Sequence, residues 1–150
     1  MVLLVACPWG VGGQGAIEAQ ERFQWDFGPH LVHASAVRTD FLPPSVAQRK
    51  GVVRSGHRGM LNVVVEEKRA DGLHHPIEAR VEARATNLLG QVIDIPIEPH
   101  RDGEALYHVG TFALDHRPTL DFHIEVQPPG VSEPYVVEFQ KEFVTPDPPT

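Results

Sequence analysis

Residues 77–86, Ile-Glu-Ala-Arg-Val-Glu-Ala-Arg-Ala-Thr, alternate apolar and polar side chains without a break. In an extended chain a period of two puts Ile77, Ala79, Val81, Ala83 and Ala85 on one face. Glu78, Arg80, Glu82, Arg84 and Thr86 take the other, with charges that alternate in sign. The pattern returns in Leu120, Phe122, Ile124 and Val126, and again in Tyr135, Val137, Phe139 and Phe143. One-sided alternation of this kind predicts an all-β protein with a single core.

Seven strands follow from the same reading, over residues 30–37, 58–66, 76–86, 91–97, 104–114, 119–127 and 134–144. Residues 58–66 are apolar on both faces, as suits a central strand. Pro96 lacks a ladder donor and marks 91–97 as an edge. Residues 43–50 predict one short helix, with proline at its start and Gly51 closing its end. Strands joined by turns every 8–14 residues indicate an antiparallel β-sandwich, immunoglobulin-like or fibronectin-III-like in architecture, with a closed barrel as the alternative. The cysteine–tryptophan pattern of antibody domains is absent.

Length and charge narrow the classes. A chain of 150 residues makes one domain able to bury roughly 70% of its unfolded surface. Acidic residues outnumber basic ones by 20 to 13, and no basic stripe appears, which argues against nucleic acid or anionic lipid as a partner. No run of about 18 apolar residues could form a spanning helix.

The first residues resemble the end of an export signal: Val-Leu-Leu-Val-Ala-Cys, then Pro8, a glycine-rich stretch and small residues up to Ala19. A basic segment before the apolar run is missing. The expected division is a leader over 1–19, a domain over 20–145 and a disordered tail over 146–150. Leu4-Val5-Ala6-Cys7 also fits the acylation motif of bacterial lipoproteins, which makes Cys7 a candidate lipid anchor. Gly10, Gly12 and Gly15 spell a dinucleotide fingerprint, but no strand–turn–helix context surrounds them.

Candidate chemistry is sparse. Arg54-Ser55-Gly56-His57-Arg58-Gly59 is the one locally basic, glycine-containing loop, in which Arg54 and Arg58 can clamp a carboxylate or phosphate beside His57. Its plainer reading is a connection whose glycines serve turn geometry. Asn87-Leu88-Leu89-Gly90 is a hairpin tip, with Asn87 a further ligand candidate and the two leucines expected to pack over the open end of the sandwich, with contact to a partner as the alternative. The nine histidines show no metal spacing: His30 with His33, and His74 with His75, fall on opposite strand faces. His57 with Met60 is a soft pair suited to copper, but solvated histidine explains the set better. No metal, cofactor or catalytic residue is expected. Paired carboxylates have basic or His neighbours, and no serine sits in a nucleophile elbow.

Several stretches together resemble a family of exported proteins of Gram-negative bacteria, domain of unknown function 4426. They are Arg22-Phe23, Val32-His33, Asp40-Phe41-Leu42-Pro43 with Val46-Ala47, Gly51 to Ser55, and Asn62-Val63. Ala85-Thr86-Asn87-Leu88-Leu89-Gly90-Gln91 is the strongest, and Tyr107, Phe112, Phe122 and Phe139-Gln140-Lys141-Glu142-Phe143 complete the set. The resemblance implies a single β-sandwich, an exported location in the periplasm or outer envelope, and no assigned activity. The expected role is a non-enzymatic interaction or accessory module with an envelope protein partner. The alternative is a small-ligand or metal binder using the Arg54–Arg58 loop and histidines.

Overall fold

The computed structural model describes residues 22–115 and 118–145. The expected leader over 1–19, Cys7 and the expected tail over 146–150 lie outside the described residues. In chain order the strands are β1 (Arg22–Asp26), β2 (His30–Arg38), β3 (Arg58–Lys68), β4 (His74–Pro76), β5 (Arg80–Asn87), β6 (Val92–Ile95), β7 (Glu98–Asp102), β8 (Ala105–Ala113), β9 (Thr119–Gln127) and β10 (Tyr135–Glu142). A 3₁₀ turn (Thr39–Phe41) and helix α1 (Pro44–Arg49) join β2 to β3. The larger sheet runs β1-β2-β3-β8-β7, with β4 also on β3; the smaller runs β10-β9-β5-β6. All pairs are antiparallel. The fold is the antiparallel sandwich that the alternation predicts.

The inner faces make the core. Val32, Ala34 and Ala36 of β2 and Leu61, Val63 and Val65 of β3 meet Ala85 of β5 and Phe122, Ile124 and Val126 of β9. Phe139 stacks on Phe122 at 4.8 Å and on Phe23 at 4.7 Å, which sews β1 of one sheet to β10 of the other. A second cluster (Val37, Leu42, Ala47 and Met60) lies apart, at the junction of α1 with β2 and β3.

Three short strands, β1, β4 and β7, add to the seven expected. The period-two pattern of 77–86 outlasts its strand. Ile77 still bonds Val65 of the larger sheet through its N–H at 2.9 Å, Ala79 bridges, and only from Arg80 does the chain join the smaller sheet. Pro96 likewise ends β6 at an edge, and the chain crosses to the larger sheet to become β7. That crossing passes over Gly110, where a Cβ would stand 2.5 Å from the Pro96 carbonyl oxygen.

Candidate functional site

The outer face of the larger sheet is not bare. Alternation along β2 and β3 turns His33, Ser35 and Val37, and Met60, Asn62, Val64 and Glu66, away from the core. The segment after β2 folds back over one end of this face. Pro43 and Pro44 pre-set the first turn of α1, and Gly51, at φ 66°, closes it in the left-handed region that suits glycine. Val46 and Ala47 then pack down towards Met60, while Arg49 and Lys50 reach along the sheet. Between α1 and the strands lies a groove of about 610 Å³.

The groove has two ends of different character. Val37, Leu42, Pro43, Val46 and Met60 line an apolar end beneath α1. The other end is polar. Register places Arg22, Ser35 and Asn62 opposite one another on β1, β2 and β3. From α1, Arg49 reaches Asp102 at 3.6 Å, and the Lys50 ammonium sits over the Tyr107 ring at 3.2 Å. His33 Nε2 stands 2.5 Å from Glu66 Oε1, without hydrogen-bond alignment.

Three polar atoms of this lining are closed off from water and make no hydrogen bond: His33 Nε2, beside the Glu66 carboxylate, Lys50 Nζ and Asn62 Oδ1. Burial holds the Lys50 ammonium below the ordinary lysine range, with Asp102 opposing that shift and Arg49 adding to it. Enclosed polar atoms without a hydrogen-bond partner are uncommon in folded proteins.

The residues singled out from the sequence lie elsewhere. Arg54 donates to the Asp40 carbonyl at 2.9 Å. Ser55 is clasped by buried Thr39, whose Oγ1 accepts from Ser55 N at 2.8 Å and donates to Ser55 O at 3.1 Å. His57 is exposed and accepts from Leu114 N through its carbonyl, while Arg58 opens β3 in solvent. Met60 is buried under α1 and is not gathered with His57. Asn87 is occupied by its own turn: its Oδ1 accepts from Leu89 N at 3.0 Å and Gln91 N at 2.9 Å, and its Nδ2 donates to Gln91 Oε1 at 2.7 Å. Leu88 and Leu89 do not pack over the sandwich. They are 75% and 85% exposed, because the turn projects past the last paired residues. Among the described residues no three His, Cys, Asp or Glu side chains converge as a metal centre.

The profile of a family described as Domain of unknown function (DUF4426) matches residues 24–145. The chain belongs to the DUF4426 family. A DUF4426 family protein from Pseudomonas aeruginosa PAO1, known as a crystal structure, is similar at 34% identity and a TM-score of 0.70, over 85% of this chain and 97% of that one. FetP of uropathogenic Escherichia coli strain F11, recombinantly expressed in the periplasm of E. coli BL21(DE3), shares the fold at 10% identity and a TM-score of 0.62, over 85% of this chain and 98% of that one. A copper-bound variant of FetP aligns at 10% identity and a TM-score of 0.57, over 85% and 96% of the two chains. No curated protein matches the chain. Among the described residues of this DUF4426 protein, no helix is long and apolar enough to cross a membrane.

Sequence reasoning passed over Asn62, Lys50 and Arg22. One signal was present: Asn62 is the polar residue in Met60-Leu61-Asn62-Val63-Val64-Val65, a strand otherwise apolar on both faces.

Proposed function

We propose that this DUF4426 protein is an exported, non-catalytic binding module of the bacterial envelope, and that the groove beside α1 takes a small molecule. The observation that carries the reading is the groove itself, about 610 Å³ between α1 and the strands, with an apolar wall at Val37, Leu42, Val46 and Met60 and polar groups at Arg22, Ser35 and Asp102. Small-molecule sites have this make-up: an apolar wall, a few placed polar groups, and a volume of about 300–1,000 Å³. The likeness to FetP, expressed in the periplasm, supports the exported location.

The test is fractionation of cells that make the full chain, followed by native mass spectrometry of the purified protein. The reading expects the protein in the envelope fraction, carrying a small molecule that Met60→Trp displaces by filling the groove. A cytoplasmic protein, or a molecule retained unchanged by Met60→Trp, contradicts it.

A second reading rests on the exposed leucines at the β5–β6 turn, beside Val92 at 60% exposure on an edge strand. Here the module docks an envelope protein through that apolar tip. Chemical crosslinking in the envelope fraction, with wild type and Leu88→Ser/Leu89→Ser, separates the two. Loss of a crosslinked partner in the double variant supports docking at the tip. A partner retained by the double variant contradicts it.

A further inference from the structure

We propose that one end of the sandwich docks on the lipid surface of a bilayer, with the β5–β6 turn set among the acyl chains and Arg54 and Arg58 at the phosphates. The inference does not depend on the groove. It gives the apolar tip of the second reading a lipid surface in place of a protein.

Register defines this end. Arg38 pairs with Gly59 and Arg58 with Ala113, where β2 and β8 finish and β3 starts. In the smaller sheet Asn87 pairs with Leu120 and Glu142 with Thr119, where β5 and β10 finish and β9 starts. The two sheets are tied together here. The Arg38 guanidinium donates to the Val144 carbonyl, and Phe112 of β8 packs edge-on against Phe143 at 5.8 Å. The 3₁₀ turn, the loop before β3 and the β5–β6 turn therefore share one end of the molecule.

Exposed apolar side chains collect at it. Of the eight large apolar residues exposed among those described, Phe41, Val53, Leu88, Leu89, Val92 and Val144 lie at this end. Leu73, in the β3–β4 turn, and Val136, at the start of β10, do not. The six are spread over the 3₁₀ turn, the loop before β3, the β5–β6 hairpin and the segment after β10. A protein partner has to match such a scatter in shape, whereas a fluid bilayer takes in each side chain separately. Apolar groups seated in the boundary between headgroups and acyl chains, with cations beside them, are what holds a protein on a membrane surface.

Charge points to the same partner. The chain carries a net charge of −7. Yet this end presents Arg54, Arg58 and Lys141 against Asp115 and Glu142, while Asp40 is taken by Arg38 at 2.7 Å. Arg54 spends one N–H on the Asp40 carbonyl and keeps its others, and Arg58 stands in solvent. Guanidinium groups bind phosphate oxygens through paired hydrogen bonds. At the far end the turns carry Asp71, Glu104 and Glu133 against Arg69. The sequence shows no basic stripe because Lys141 joins Arg54 and Arg58 only through the fold. An acidic chain with one such end meets a membrane by that end.

Co-sedimentation of the full chain with vesicles tests this, using a phosphatidylethanolamine–phosphatidylglycerol mixture and phosphatidylcholine alone. Wild type is expected to bind both, and the anionic mixture more tightly. Leu88→Ser/Leu89→Ser is expected to weaken binding to both at least tenfold. Leu73→Ser, which removes a leucine of 59% exposure at the far end, is expected to change nothing. Arg54→Gln/Arg58→Gln is expected to weaken binding to the mixture at least threefold and to leave phosphatidylcholine unchanged. The apolar residues 2–7 are the same in every variant, so they cannot produce these differences. No binding to either vesicle, or binding that the leucine double variant keeps, overturns the proposal. A crosslink to one envelope protein that depends on Leu88 and Leu89, without vesicle binding, assigns the end to a protein and overturns it as well.

Discussion

The backbone N–H of Ala79 donates to Nε2 of His108 at 3.1 Å, in the strip where the chain passes from one sheet to the other. On its other side the His108 Nδ1 lies 3.3 Å from the Val63 carbonyl oxygen and serves as donor. His108 is 1% exposed, and burial holds its pKa below the ordinary value of 6.5. The neutral ring, protonated on Nδ1, fits both partners. A proton on Nε2 would face the Ala79 N–H, donor against donor.

A group whose folded pKa is depressed binds its proton more readily in the unfolded chain. Its contribution is intact above pH 6.5 and is lost as pH falls through the lowered folded value. Urea unfolding at pH 7.5 and 5.0 should therefore show a larger loss for wild type than for His108→Leu. At pH 7.5 the variant should itself be less stable by about 1–3 kcal/mol, because the Ala79 N–H is left without an acceptor. Equal pH slopes would remove His108 as the cause.

Gly110 is required by its neighbours and not by its own backbone. A Cβ there would lie 2.5 Å from the Pro96 carbonyl oxygen and 2.7 Å from both Ile95 Cγ2 and Ile97 Cδ1. The first of these is backbone and cannot rotate away. Gly110→Ala should cost about 1–3 kcal/mol as overpacking, read from the midpoint of chemical unfolding. Gly130, with open space around it but φ of 81°, should cost less on the same change and through strain alone.

The period-two pattern was legible in the sequence wherever one strand face meets water, as along β5, where Glu82 and Arg84 flank Ala83. It could not show where a strand changes sheets, because Ile77 and Ala79 keep the alternation while switching partners. β1 was missed although Arg-Phe-Gln-Trp-Asp alternates, because the pattern there is short. The groove was hidden for a different reason. Arg22, Ser35, Asn62 and Lys50 come from three strands and a helix, and only register brings them together. The basic loop at Arg54–Arg58 stood out in the sequence, yet its polar groups are taken up largely by the chain beside it.

Thr39 fastens that loop. Its hydroxyl is fully buried and holds both backbone groups of Ser55. Thr39→Val keeps the shape and removes both bonds, with an expected loss of about 1–3 kcal/mol. Amide exchange should speed up over residues 52–57 before it does in β3. Thr39→Ser should restore most of the protection.

Lys50 tests the cost of an enclosed ammonium. Its ammonium is desolvated and lacks an acceptor, so Lys50→Met removes an unfavourable burial and leaves a flexible side chain on the Tyr107 ring. The melting temperature should hold or rise. A lower melting temperature would make Lys50 a structural strut.

The most direct measurement is the map of backbone amide shifts between the full chain purified from the envelope fraction with its bound small molecule and the same chain after unfolding, removal of that molecule and refolding. The account predicts that the largest changes fall on Ser35, Val46, Lys50 and Asn62, around one groove. Changes confined to residues 54–58 or to the Leu88–Leu89 tip, with the groove silent, would contradict it.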